Sequence, residues 1–221
     1  SKVIYFSSKE KLNDGYIVDG NIIKECENKL RKHILNTKEI KLRGTHNFEN
    51  ICAALAATRE LVDEKTAVEA IKEFNSAEHR LEFVREINGV KWYNDSASSS
   101  PSRTIAGLNA YDEEIVLIAG GYDKNLDYDI LGKYIVKKVK ALVLIGNTAK
   151  KILDATTKEM EKQGVELPIC FCQTLEDAVK AAKQVAKENQ VVLFSPASAS
   201  FDMFKNFADR GNQFKKLVNE L

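Results

Sequence analysis

The sequence predicts an α/β fold, with a Rossmann-like domain over residues 79–221 that has a mainly parallel sheet and one β-hairpin. Four short apolar runs lie at residues 115–119, 141–145, 169–172 and 191–194. Helical patterns accompany them over residues 128–139, 148–163, 174–188 and 200–221. Strands that are apolar on both faces and alternate with helices are typical of a parallel sheet covered by helices on both sides.

The hairpin is predicted at the start of this domain. Residues 81–87 and 90–93 have strand patterns, and Asn88-Gly89 between them suits the positive φ angles of a tight turn. A polar loop over residues 94–100 then leads to Pro101, which is favoured in the first turn of a helix. We expect that helix to extend to about residue 111.

The first third of the chain has a different pattern, with strands followed by helices. Strands are predicted over residues 3–6, 16–18, 22–23 and 39–42, with Asp19-Gly20 as a turn and Gly44 ending the last strand. Helices are predicted from Asn47 and over residues 65–74, the second with Ala67, Val68, Ile71 and Phe74 inward. Since the chain starts at Ser1 and enters a predicted strand almost at once, we expect it to be a piece of a longer protein.

Composition narrows the class of protein. The 221 residues include 33 Lys and Arg against 32 Asp and Glu, and this balance disfavours nonspecific binding of nucleic acid or of an anionic membrane. No apolar run is long enough for a transmembrane helix, and the first twelve residues do not resemble a signal peptide. We therefore expect a cytoplasmic protein.

The cysteines and histidines have no metal-ligand spacing. Cys170 and Cys172 flank Phe171 in a predicted strand, so their side chains should share one face of the sheet. We expect these two residues, together with Cys26 and Cys52, to be buried, reduced thiols rather than zinc ligands or disulfides.

Polar segments follow the predicted strands, where ligands bind in open parallel sheets. Gly120-Gly121 with Lys124 could receive an anion, or could be a turn beside a solvated lysine. The hydroxyl-rich segment 195–200 could bind an anion at the start of the last helix, or Ser198 or Ser200 could simply cap that helix. Asp95 could accept bonds from ribose hydroxyls or form a local turn.

Three further residues have side chains suited to a nucleotide. Asn47 and Asn50 could recognise an adenine edge, or act as a helix cap and an exposed polar residue. The planar guanidinium of Arg80 suits phosphate, although a surface ion pair is the alternative. No Ser-His-Asp or Cys-His triad, P-loop or G-x-G-x-x-G motif is evident.

Six motifs in this order resemble those of the Mur ligases, and the resemblance covers essentially the whole chain. Asn47 and Asn50, with Ala53-Ala54, resemble the family's H-N-x-x-N-x-x-A-A box, and residues 79–82 resemble its H-R-x-E junction. The remaining motifs are N-D-S at 94–96, A-G-G at 119–121 and S-P-A-S-A-S-F-D at 195–202. A last segment follows, with Phe204-Lys205, Phe207 and Arg210-Gly211. The last segment is most similar to the members that add D-glutamate.

The resemblance implies a three-domain enzyme. Residues 1–78 would be the end of the central ATPase domain, and residues 79–221 the complete C-terminal domain that binds the amino acid. The whole enzyme would use ATP and Mg²⁺ to phosphorylate the carboxylate of UDP-N-acetylmuramoyl-L-alanine, and the amine of D-glutamate would then attack, giving a peptidoglycan precursor. The P-loop, the metal ligands and a carbamylated lysine would lie upstream, so we expect this piece to be inactive alone, and we expect a monomer.

The resemblance also assigns residues. Asn47, Asn50, Arg80 and Asp95 would contact the nucleotide, with phosphate at Arg80 and ribose at Asp95. Ser99, Lys124, Ser200 and Phe207 would hold D-glutamate. No catalytic residue or metal ligand is expected within this piece. The chain departs from many relatives by having Ala97 where they have a lysine, and Arg103 is our candidate for the missing cation.

Two alternatives remain open at this stage. The chain could belong to another ATP-dependent amide ligase, either the L-alanine or the diaminopimelate Mur ligase or a folylpolyglutamate synthase. It could also be an isolated module that binds an amino acid or a nucleotide.

Overall fold

The computed structural model describes residues 3–221, which divide into two compact units, one ending at Ser76 and the other spanning Ala77–Leu221. The first unit contains a four-stranded sheet in the order β1 (Phe6–Ser7), β2 (Gly15–Asp19), β3 (Ile22–Glu27) and β4 (Leu30–Asn36). A short 3₁₀ helix (Thr37–Glu39), α1 (Thr45–Thr58) and α2 (Glu64–Glu73) follow. The strands β1 and β2 are parallel, and the other neighbours are antiparallel.

The first unit corrects several predictions. The predicted strand over residues 39–42 is wrong, because Thr37–Glu39 is a 3₁₀ helix and the strand lies earlier, at Leu30–Asn36. Most of that strand is exposed and rich in charge, so it lacks the apolar alternation that marks a half-buried strand. Of the first predicted strand, over residues 3–6, only Phe6 belongs to the sheet, where it forms β1 with Ser7. Phe74 is 58% exposed, not inward.

The second unit has the predicted α/β architecture. Its strands are β5 (Glu82–Ile87), β6 (Val90–Asn94), β7 (Ile115–Ala119), β8 (Val139–Leu144), β9 (Ile169–Phe171) and β10 (Val191–Phe194), in the spatial order β5-β6-β10-β7-β8-β9. Only the β5–β6 pair is antiparallel. In its turn, Asn88 and Gly89 have φ angles of 50° and 73°, as this two-residue loop requires.

Helices cover both faces of the sheet. They are α3 (Pro101–Leu108), α4 (Asp129–Lys138), α5 (Ala149–Gln163), α6 (Leu175–Val185) and α7 (Phe207–Asn219). Alternate residues of β7 point to opposite faces, so Leu117 joins the core beneath α3–α5, whereas Ile118 joins the core beneath α6 and α7. Within residues 3–221, none of the helices combines the length and the apolar character needed to cross a membrane.

The last helix begins later than predicted. The structure has turns and bends over residues 201–206, and α7 starts at Phe207, where the side chain of Asn206 accepts a bond from Asp209 N. The prediction that Ser198 or Ser200 caps this helix is therefore wrong, as is an anion site formed there by the start of the helix. The helical pattern over residues 200–221 did not reveal the turns at residues 201–206, which separate the serine-rich segment from the helix.

Candidate functional site

The candidate site lies at the carboxyl edge of the second unit's sheet. Three loops follow the adjacent strands β6, β10 and β7 and cover residues 95–100, 195–206 and 120–128. In parallel sheets this edge is where ligands bind, because side chains from neighbouring loops converge there. The sheet order thus brings together three of the motifs found in the sequence.

Backbone hydrogen bonds join the loops after β7 and β10. Tyr122 N donates to the carbonyl oxygen of Ala199 at 2.9 Å, and Gly120 N donates to that of Pro196 at 2.8 Å. The approach is close at Gly121, where an added Cβ would lie 2.3 Å from the Ala199 oxygen. The second glycine of this pair is therefore needed for the two loops to meet.

This junction brings Lys124 to the serine-rich loop. The Lys124 ammonium lies 5.6 Å from the ring centroid of Phe201, whose neighbour in the chain is Ser200. Phe201 also packs edge-on against Tyr122, with 6.1 Å between ring centroids. Lys124 is exposed whereas Ser200 is buried, so a cation lies at the mouth of this corner and a hydroxyl deeper within it.

Phe207 lies beside the loop that follows β6. Its carbonyl oxygen accepts a bond from Ser96 Oγ at 2.7 Å, and the residue is 48% exposed. Ser99 in the same loop is half-buried. Arg103 is exposed, and its Nη1 donates to the carbonyl oxygen of Ala97 at 3.1 Å, so the guanidinium lies beside Ala97.

Asp95 is enclosed by protein donors. Its Oδ1 accepts a bond from Leu81 N at 3.2 Å and its Oδ2 accepts one from Ser195 Oγ at 2.7 Å. Burial raises the pKa of this carboxyl to about 6, against the lowering effect of bonds from Ser195 and Ser98. Asp95 is only 2% exposed. A ribose hydroxyl could therefore bond only to a carboxylate lone pair that these protein donors leave unused.

The junction residues His79 and Arg80 have contrasting environments. His79 is buried in the left-handed region at φ 64°, and its Nδ1 lies 3.0 Å from the Asn94 amide. The Asn94 amide also donates to Glu82 Oε2 at 3.0 Å, so the histidine ring belongs to a packed polar network. Arg80 is exposed, and its positive charge acts on Asp95 to favour the ionised carboxylate.

Asn47 and Asn50 lie on α1 in the first unit. The Asn47 amide donates to the carbonyl oxygen of Arg43 at 2.7 Å, which is a local bond at the start of the helix. Asn50 is exposed and its amide lies 3.4 Å from Asn47 Oδ1. Their predicted contact with adenine stays a prediction.

Arg210 is the residue that sequence reasoning missed. Its side chain is fully buried, and the guanidinium donates to Ser96 O, Ser96 Oγ, Ser198 O and Ala199 O at 2.8–3.1 Å. Burial lowers its pKa to about 10, while Asp202 opposes this shift. The R-G motif at 210–211 could have drawn attention to it, but its acceptors are remote in sequence.

A second buried network supports the same corner. Ser198 Oγ lies 2.9 Å from Tyr128 OH and 2.7 Å from Thr148 Oγ1. Thr148 Oγ1 in turn bonds to Gly121, accepting from its N–H and lying 3.1 Å from its carbonyl oxygen. Ser198 therefore holds the loops together and is not available as a helix cap.

The fold and these loops define a Mur ligase domain. A family model described as "Mur ligase, glutamate ligase domain" matches residues 79–198, more than half of the chain, and the chain belongs to this family. The family predicted from the six motifs is confirmed.

Individual relatives agree with this assignment. The chain is 48% identical to a UDP-N-acetylmuramoylalanine–D-glutamate ligase of Acetivibrio thermocellus, covering 99% of this chain and 47% of that protein. The enzyme of the same name from Clostridium kluyveri is 47% identical, covering 100% of this chain and 47% of that protein. The chain thus spans about half the length of the curated relatives that it matches.

Solved structures show the same fold at low identity. A pseudomurein peptide ligase type C from Methanothermus fervidus has a TM-score of 0.61 at 12% identity, covering 96% of this chain and 42% of that one. MurF from Acinetobacter baumannii has a TM-score of 0.62 at 15% identity, covering 91% of this chain and 45% of that one. These matches establish the fold alone.

Proposed function

We propose that this chain is part of an ATP-dependent ligase that adds D-glutamate to UDP-N-acetylmuramoyl-L-alanine in the synthesis of peptidoglycan precursor. In this proposal residues 79–221 form the amino-acid-binding domain and residues 1–78 are the end of the central ATPase domain. The division of the chain at residues 76 and 77 supports that assignment. The names of relatives at 44–48% identity over the whole chain support the choice of D-glutamate.

One observation carries the proposal: the junction between Tyr122 and Ala199, which places the Lys124 cation beside the loop of Ser200. D-glutamate has two carboxylates, and an ammonium with nearby hydroxyls is a suitable partner for a carboxylate. In our assignment Lys124, Ser200 and Ser99 bind these carboxylates. Phe207, with its exposed ring, covers the amino acid, and Arg103 adds a second cation.

Four residues are assigned to the nucleotide. The exposed guanidinium of Arg80 suits a phosphate, and the exposed amide of Asn50 suits an adenine edge, with Asn47 next to it on α1. Asp95 is assigned to the ribose. When bound, ATP supplies the phosphoryl group that turns a poorly reactive carboxylate into an acyl phosphate. Holding D-glutamate in a fixed orientation for attack is the contribution of the second unit.

The Mg²⁺ ligands are not assigned to this chain. Across residues 3–221 no group of three or more His, Cys, Asp or Glu side chains is arranged to hold a metal ion. We propose that these ligands and the phosphate-binding loop lie in another region of the complete protein. That region would correspond to the half of the relatives' length that this chain does not match. On this proposal the protein acts in the cytoplasm as a monomer.

The test is phosphate release by the complete protein that contains this chain, supplied with ATP, Mg²⁺ and UDP-N-acetylmuramoyl-L-alanine. We expect release with D-glutamate and none with L-alanine, L-lysine or diaminopimelate. Lys124→Ala should raise the KM for D-glutamate by about 10- to 100-fold, because one charge-assisted contact is lost. Lys140→Ala is the matched control, since Lys140 pairs with Glu114 at the amino end of the sheet.

Two results would overturn the proposal. Release that depends on another amino acid would assign the chain to a different amide ligase. Nucleotide or amino-acid binding without any phosphate release would assign it to a binding module.

A further inference from the structure

Cys170 and Cys172 form an accessible pair of thiols at the edge of the second sheet. The Sγ atoms lie 3.8 Å apart, Cys170 is exposed and Cys172 is half-buried. The expectation of buried thiols is correct for Cys26 and Cys52 but wrong for this pair. The reason is that β9 is the edge strand, so no further strand covers it.

The backbone disfavours a disulfide between these two residues. Cys172 N donates to Leu144 O, so the chain remains extended through Cys172. Residues two apart in a strand are about 6.6 Å apart, and their Cβ atoms point to the same face. A disulfide requires Cβ atoms about 3.5–4.5 Å apart, so the strand would have to distort to form one.

The sulfur spacing instead suits a shared metal ion. Two thiolates bound at about 2.3 Å to one tetrahedral ion lie about 3.8 Å apart, which is the separation found here.

We propose that Cys170 and Cys172 form a two-thiolate chelate for a soft divalent metal ion of the zinc and cadmium class. On binding, each thiol releases its proton to solvent and two metal–sulfur bonds replace two metal–water bonds, with no change in oxidation state. In the described part of the chain no third His, Cys, Asp or Glu side chain completes the set, so the other positions belong to water or a small solution ligand. The site is separate from the proposed ligase function.

The test is titration of the reduced chain with Cd²⁺, following the thiolate-to-cadmium charge-transfer absorption. We expect one ion per chain. Cys170→Ser and Cys172→Ser should each weaken binding by about 100-fold or more, because each removes one of the two thiolates. Cys26→Ala is the matched control, because Cys26 is buried in the other unit, and it should bind Cd²⁺ like the wild type.

Circular dichroism separates loss of the site from loss of the fold, and the exposed position of Cys170 makes its serine variant the safer test. Folded Cys170→Ser protein that binds Cd²⁺ as tightly as wild type would overturn the proposal. So would wild-type protein that shows no charge-transfer band. Treatment with glutathione disulfide adds a second readout, and quantitative formation of a Cys170–Cys172 disulfide would contradict the geometry on which the chelate rests.

Discussion

Arg210 Nη1 donates a hydrogen bond to the carbonyl oxygen of Ala199 at 2.9 Å, inside the loop cluster of the second unit. The same carbonyl accepts a bond from Tyr122 N, so one oxygen joins α7 to the loops after β7 and β10. A buried guanidinium is costly unless its N–H groups are satisfied, and here they are used to hold backbone carbonyls in place. Arg210 is thus a positioning residue for the candidate site.

Arg210→Lys should destabilise the second unit by about 2–4 kcal/mol, because lysine has no planar fork and leaves buried carbonyl oxygens without donors. Trp92 is the only tryptophan and is buried in this unit, so its fluorescence during urea unfolding reports the change. Arg103→Lys is the control, since Arg103 is exposed, and its midpoint should hardly move. Equal midpoints for the two variants would contradict this role of Arg210.

Gly121→Ala should separate the loops after β7 and β10, because the new Cβ would lie 2.3 Å from the Ala199 carbonyl oxygen. We expect a loss of at least about 2 kcal/mol in the unfolding of the second unit. Gly164→Ala is the control, because Gly164 also has a positive φ angle but nothing within 4 Å of its added Cβ. It should cost only about 1 kcal/mol, and a similar cost at both positions would show that steric conflict at Gly121 is unimportant.

The buried carboxyl of Asp95 should make stability fall as the pH rises from about 4 to 6. Its pKa is raised to about 6 in the folded protein, so over this range the folded state binds more protons than the unfolded state. The cost reaches roughly 3 kcal/mol and is constant above about pH 7. Asp95→Asn should remove this component, since an amide oxygen can still accept the bond from Leu81 N.

The measurement is the difference in unfolding free energy between wild type and Asp95→Asn at each pH, followed by Trp92 fluorescence. Glu114→Gln is the control of opposite sign, because bonds from Gln190 and Lys140 lower the pKa of Glu114. That contribution to stability is lost as the pH falls. A wild-type minus Asp95→Asn difference that does not change between pH 4 and 6 would contradict the prediction.

Arg103→Ala should raise the KM for D-glutamate of the complete protein about 10-fold or more, if its guanidinium beside Ala97 supplies the missing cation. Ala97→Lys in the Arg103→Ala background is the informative second variant. It places a cation at position 97 and should recover much of the loss. Unchanged KM and kcat in Arg103→Ala would exclude this role for the arginine.

Local sequence patterns were sufficient where the structure depends on neighbours in the chain. Asn88-Gly89 specified the hairpin because both residues tolerate positive φ angles, and the continuous apolar run of β7 indicated a strand buried on both faces. The order of the motifs identified the family. The sequence also placed Lys124 and Ser200 in loops that follow strands of one parallel sheet, and such loops converge at its carboxyl edge.

Tertiary packing decided what depends on residues remote in sequence. The fully buried guanidinium of Arg210 acquires its role from carbonyls of two other loops, and no spacing rule predicts those partners. The exposure of Cys170 follows from the edge position of β9, which strand order alone determines. Backbone preferences act over a few residues, whereas burial and hydrogen-bond partners exist only once distant segments have packed. The chain by itself therefore determined its family and most elements of the second unit, and only the folded structure decided these contacts.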